Sequence, residues 1–86
     1  MFKGMIENYI GLLTPQMFYK YARTNNILLT PEEAKKGTQF IKENYRVVLN
    51  NYDYDVIKKM VSTYFEGESS EKMLRLLEIT KYKYRL

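Results

Sequence analysis

The chain has 86 residues, 45% of them hydrophobic and 28% charged, with a net charge of +4. A chain of this length makes one domain with a thin but real core, and this composition lies well inside the globular range. Cysteine and histidine are both absent, which excludes disulfides, thiolate chemistry and zinc–thiolate sites, and also the commonest general base at neutral pH. Residues 81–86 hold three of the fourteen basic residues and none of the ten acids, so the rest of the chain stands at only +1.

In chain order, the first amphipathic helix is expected near 2–11. There Phe2, Met5, Ile6, Tyr9, Ile10 and Leu13 recur at helical spacings as one apolar stripe. Glu7 and Asn8 interrupt this apolar start, which argues against a secretory signal. The apolar runs are also too short to span a bilayer, so a cytoplasmic chain without membrane contact is expected.

The second helix opens at Thr14-Pro15, a threonine cap followed by proline where the missing N–H costs nothing. Its stripe is Met17, Phe18, Tyr21 and Ala22, and it ends at Thr24-Asn25-Asn26, since asparagine tolerates the left-handed backbone found just past a helix. The third helix repeats the opening at Leu29-Thr30-Pro31-Glu32-Glu33. Thr30 and Glu33 have capping-box spacing, and both glutamates suit the positive end of the helix dipole. Ala34, Gly37, Thr38, Ile41 and Tyr45 line its inner side, and the small residues at 34 and 37 predict the close approach of another helix backbone.

Arg46-Val47-Val48-Leu49-Asn50-Asn51 breaks this pattern and is read as a short extended connection that packs Val48 or Leu49. The fourth helix is expected from Asn51 or Asp53, with Val56, Ile57, Met60, Val61, Tyr64 and Phe65 inward and Gly67 as its stop. A fifth helix would begin at Glu71, capped by Ser69 or Ser70. The fold expected is all-α: a compact orthogonal bundle of about five short helices in a single domain over 1–86, with 81–86 as an exposed basic–aromatic tail.

Few groups point to chemistry. The helices at 15–25 and 31–45 resemble a helix-turn-helix, but the connection is longer than the three or four residues that motif uses, and Glu32 and Glu33 would stand where phosphates lie. Asp53 and Asp55 read as cap and dipole partners rather than cation ligands, and Glu66 and Glu68 read as solvated acids. Lys58 and Lys59 read as a solvated face, and Tyr19, Lys20 and Arg23 as a small aromatic–basic group beside the stripe of helix two. No catalytic residue, cofactor or metal site is assigned, and the chain is expected not to be an enzyme.

The tail KYKYRL carries the remaining signal. At about 100° per residue, Met73, Leu74, Leu76, Leu77 and Tyr84 form the core face of the last helix, whereas Ile79, Tyr82 and Leu86 gather on the opposite side. A helical tail splits Lys81 and Arg85 from Lys83 and leaves a second apolar strip, the mark of a protein partner or a homodimer. An extended tail would place Lys81, Lys83 and Arg85 on one side of Tyr82 and Tyr84. Such a tail would suit a weak nucleic-acid accessory role, with bases stacking on aromatic rings. Protein contact through Ile79, Tyr82 and Leu86 is the preferred reading.

Leu13-Thr14-Pro15, Tyr21-Ala22-Arg23, Ile27, Leu29-Thr30-Pro31-Glu32-Glu33-Ala34 and the asparagine-rich connection before helix four resemble the YqfT-like proteins, an uncharacterised family. These are short helical cytosolic proteins of Gram-positive spore-formers. The resemblance covers roughly 12–78. It implies an all-helical cytosolic protein and brings no activity, cofactor or site residue.

Overall fold

Two threonine–proline caps start the central helices of the chain, and the threonine hydroxyls do the work that spacing assigns to them. In a computed structural model, which describes the backbone of residues 2–50 and 53–84 and the side chains of 7–48 and 53–83, the helices are α1 (Phe2–Gly11), α2 (Pro15–Thr24), α3 (Pro31–Asn50), α4 (Tyr54–Ser62) and α5 (Gly67–Tyr84). Among the described residues there is no strand. The described residues form an all-α bundle of five helices, and the radius of gyration of 11.9 Å matches the ~12 Å of a compact domain of this length.

Thr14 accepts a hydrogen bond from the Met17 amide at 3.2 Å. Thr30 does the same for the Glu33 amide at 3.1 Å, while the Glu33 carboxylate accepts from the Thr30 amide at 2.8 Å, a complete capping box. The leucine before each cap, Leu13 or Leu29, is buried together with the fourth residue of its helix, Phe18 or Ala34. This apolar clasp fixes the angle at which each helix enters the bundle. The leucine one position earlier points outward in both loops, leaving Leu12 and Leu28 exposed.

The end of α2 is a left-handed cap. Asn26 has φ of +64°, the Ile27 amide reaches back to the Ala22 carbonyl at 2.9 Å, and the Asn26 amide reaches Arg23 at 3.0 Å. Ile27 and Ala22 are both buried beneath it, the apolar contact that accompanies this motif.

α3 is the organising helix, packed against α1 and α2, while α4 pairs with α5. It runs five residues beyond the expected end, so residues 46–50 are helical rather than extended. Val48 is buried at helical spacing from Ile41 and Asn44. The few tenths of a kcal/mol that valine costs in a helix are small against ~1.5 kcal/mol or more for burying its side chain. Leu49, the other candidate for that contact, lies outside the described side chains, as do Phe2, Met5 and Ile6 of α1.

Three further expectations are corrected. The small residue at 37 admits a side chain rather than a helix backbone: a Cβ added to Gly37 would lie 2.3 Å from the Phe18 ring. Gly67 does not stop α4, which ends at Ser62. With φ of +54° it opens α5 four residues earlier than expected, and Ser69 bonds to Glu33 instead of capping. Val56 and Tyr9, expected inward, are 46% and 52% exposed.

The core joins Leu13, Phe18, Ala22, Ile27 and Leu29 to Phe40 of α3, Ile57 and Val61 of α4, Phe65, and Met73, Leu74, Leu76 and Leu77 of α5. Phe40, fully buried, meets Tyr64 edge-on at 5.1 Å between ring centroids. The inner stripe assigned to α3 omits Phe40 because it allows that helix one neighbour, whereas α3 is buried over a wider arc, from Phe18 at Gly37 to Tyr64 at Phe40.

Candidate interaction surface

α5 carries Ile79, Lys81, Tyr82 and Lys83, described residues that the sequence puts forward for function, and its sides do different work. Taking Met73 as zero and ~100° per residue, its inner arc holds Met73, Leu74, Leu76 and Leu77, all buried. Two polar contacts, one near each end of the helix, tie α5 to its neighbours.

The first contact is at Glu33. Only 8% of this residue is exposed. Its carboxylate accepts from the Thr30 amide, from the Ser69 hydroxyl and from the Lys72 ammonium, the last at 3.0 Å. Burial pushes the pKa of this carboxyl up, but the hydrogen bonds from Ser69, Thr30 and Lys72 and the charge of Lys72 outweigh it, holding the group at about 2. A serine beside a carboxylate and a lysine could be read as a nucleophile with its base. Here the serine donates a hydrogen bond to a carboxylate too weakly basic to remove its proton near neutral pH, so the cluster acts as a clasp from α3 to α5.

The second contact is at Thr80. Its hydroxyl donates to the Leu76 carbonyl at 2.8 Å and lies 2.6 Å from the Tyr21 hydroxyl. Because the threonine proton is already used, Tyr21 is the donor between the two hydroxyls. The Lys83 ammonium then sits over the Tyr21 ring at 5.6 Å from its centre, a cation–π contact.

The outer face of α5 remains. α5 stays helical through Tyr84, which sets Lys81 and Lys83 about 200° apart. Tyr82 is 82% exposed and Ile79 is half-buried, packed against the core. Leu86, Arg85 and the side chain of Tyr84, also put forward by the sequence, lie outside the described residues. Glu68, Glu71 and Arg75 are exposed on the same face as Tyr82, and Glu78 is half-buried at its edge.

An open groove of about 600 Å³ lies between the start of α3 and the α4–α5 connection, lined by Thr30, Glu32, Lys36, Ser62, Glu66 and Ser69 among others. Tyr64 also lines this groove, and its hydroxyl donates to Glu43 and accepts from the Asn44 amide at 3.1 Å; the bond to Glu43 raises the phenol pKa. Asp53 caps α4 through the Asp55 and Val56 amides, at 3.0 and 3.3 Å. Among the described residues no cluster of acids is set to hold a metal ion, and no helix is long and apolar enough to cross a membrane.

Sequence reasoning reads Glu33 as a cap alone. The pairing of Glu33 with Ser69 and Lys72, 36 and 39 residues away, has no signal in local spacing. No protein-family model, curated protein or solved structure matches this chain.

Proposed function

We propose that this chain is a small non-enzymatic module of the cytoplasm that works by protein contact through the outer face of α5. The observation that carries this reading is Tyr82, a large aromatic side chain 82% exposed on a helix whose other faces are committed to the core, to Glu33 and to Tyr21. Exposed aromatic residues are enriched where proteins meet, because they bury much area at little cost in side-chain freedom. The polar group of Glu33 with Ser69 and Lys72 is consumed in holding helices together, which fits an interaction role better than a reaction.

A photo-crosslinking residue in place of Tyr82, compared with one in place of the exposed Lys59 on α4, tests this in the native host. Defined adducts at position 82 alone are expected, and equal labelling at both positions would refute the reading. Salt-sensitive oligonucleotide binding that disappears when the chain is cut after Thr80 would point instead to a nucleic-acid role.

A further inference from the structure

Glu68, Glu71, Arg75, Glu78 and Tyr82 follow one another at spacings of three, four, three and four residues. On an α-helix that spacing makes one straight stripe, the seam along which two helices pack side by side. Arg75 lies at its centre and is exposed. Among the described residues, no side-chain hydrogen bond or ion pair within the chain engages Arg75, Glu78, Glu71 or Tyr82. The stripe therefore offers charges with no intramolecular partner, and their order along the helix is informative.

A parallel copy of the stripe would set Glu71 against Glu71 and Arg75 against Arg75, which repel. An antiparallel copy, with the two-fold axis crossing between positions 76 and 77, sets Arg75 opposite Glu78 and Glu71 opposite Tyr82. Each of these pairs occurs twice by symmetry, because a two-fold interface is self-complementary. The first pair is a guanidinium facing a carboxylate, and the second a phenol hydroxyl facing a carboxylate. Sliding the copies so that Arg75 faces Arg75 destroys the match. An axis at position 73 pairs Arg75 with Glu71 but sets Glu68 against Glu78, so the register centred between 76 and 77 engages most of the stripe without opposing like charges. Opposite charges across a helix seam set partner choice and orientation in this way.

We propose that the outer face of α5 is a docking surface for a second copy of this chain, the two helices running antiparallel with Arg75 of each opposite Glu78 of the other. The inference rests on the reading of α5 as an interaction face and names the occupant of that face. One face of a helix about 27 Å long buries less than the ~800 Å² per partner of a standard interface. The pairing is therefore weak, with a dissociation constant on the order of tens to hundreds of micromolar.

The test is a charge exchange on the full chain, read by sedimentation velocity at low salt from about 10 to about 500 µM. The wild type should show reversible dimers. Arg75→Glu, which faces carboxylate with carboxylate, and Glu78→Arg, which faces guanidinium with guanidinium, should each weaken dimerisation at least tenfold. Mixing the two single variants should restore a heterodimer, because every cross-pair is then opposite in sign, and the Arg75→Glu/Glu78→Arg double variant should dimerise with itself. Circular dichroism of each variant checks that the bundle is intact.

A wild type that stays monomeric throughout this range overturns the proposal, and the crosslinking at position 82 then shows separately whether another protein uses the face. Dimers that ignore the charge exchange but are lost with Tyr82→Ala overturn this register while sparing the interaction reading. Dimers indifferent to all of these changes place self-association on another surface.

Discussion

The Tyr21 hydroxyl of α2 donates to the Thr80 hydroxyl of α5 at 2.6 Å, joining residues 59 apart in the chain. The contact pins the last turns of α5 to the bundle, and Lys83 closes over the same tyrosine ring. A partly buried hydrogen bond of this kind contributes about 1 kcal/mol. Tyr21→Phe and Thr80→Val should each destabilise the fold by roughly that amount, and the double variant should cost clearly less than the sum of the two. Urea unfolding of the four proteins in the cycle measures the coupling, and strict additivity would show that the two hydroxyls do not act together.

The Glu33 clasp makes stability depend on pH in a defined window. Its carboxyl, ordinarily at 4.5, is held at about 2 in the folded state. The unfolded chain thus takes up this proton first as pH falls, and the stability that the carboxylate supplies is fully present above about 4.5 and lost towards about 2. The amount at stake is on the order of 3 kcal/mol. Glu33→Gln should destabilise the protein near neutral pH and flatten its stability curve between those values. Denaturation of both proteins along a pH series measures the difference, and parallel curves would contradict the clasp.

Gly37 and Phe18 form a matched pair. A methyl group at position 37 would press into the buried Phe18 ring, and overpacking of this kind costs about 1–3 kcal/mol. Gly37→Ala should lower the melting temperature even though alanine favours helix by about 1 kcal/mol over glycine. Adding Phe18→Leu to Gly37→Ala should recover part of the loss, whereas Phe18→Leu alone should destabilise. A gain in stability from Gly37→Ala would mean that the ring yields freely.

The two described residues with positive φ should respond to opposite substitutions. Gly67 has open space around its Cα, yet its φ is +54°, so Gly67→Ala should cost about 1 kcal/mol through backbone strain alone. Asn26, at +64°, should accept Asn26→Gly within a few tenths of a kcal/mol and lose about 1 kcal/mol or more in Asn26→Val. Thermal unfolding of the three variants separates these outcomes.

Much of the bundle is local chemistry and was legible for that reason. Thr14-Pro15 and Thr30-Pro31 satisfy the first amides of their helices with their own side chains, and Asn26 adopts the backbone that closes α2. α1 and α2 consequently lie close to where spacing and caps put them. The valines at 47 and 48 misled because their local preference for extended backbone is weak, and the burial of Val48 prevails over it. Gly67 misled because glycine permits a left-handed residue on either side of a helix boundary, and sequence does not distinguish a stop from a start.

The surface of α5 divides along the same line. The amino-acid sequence by itself determined an all-α chain and the order of charges along its last helix, since both follow from hydrogen bonds and periodicity within a few residues. The separation of Lys81 from Lys83 waited on the structure, in which α5 stays helical through Tyr84. Only the tertiary structure decided that Glu33 is an anchor for Ser69 and Lys72, that Lys83 lies over Tyr21, that Ile79 leans into the core, and that Tyr82 stands in solvent. Each of those facts depends on which helix lies beside α5, and that choice is made by the burial of side chains far apart in the chain.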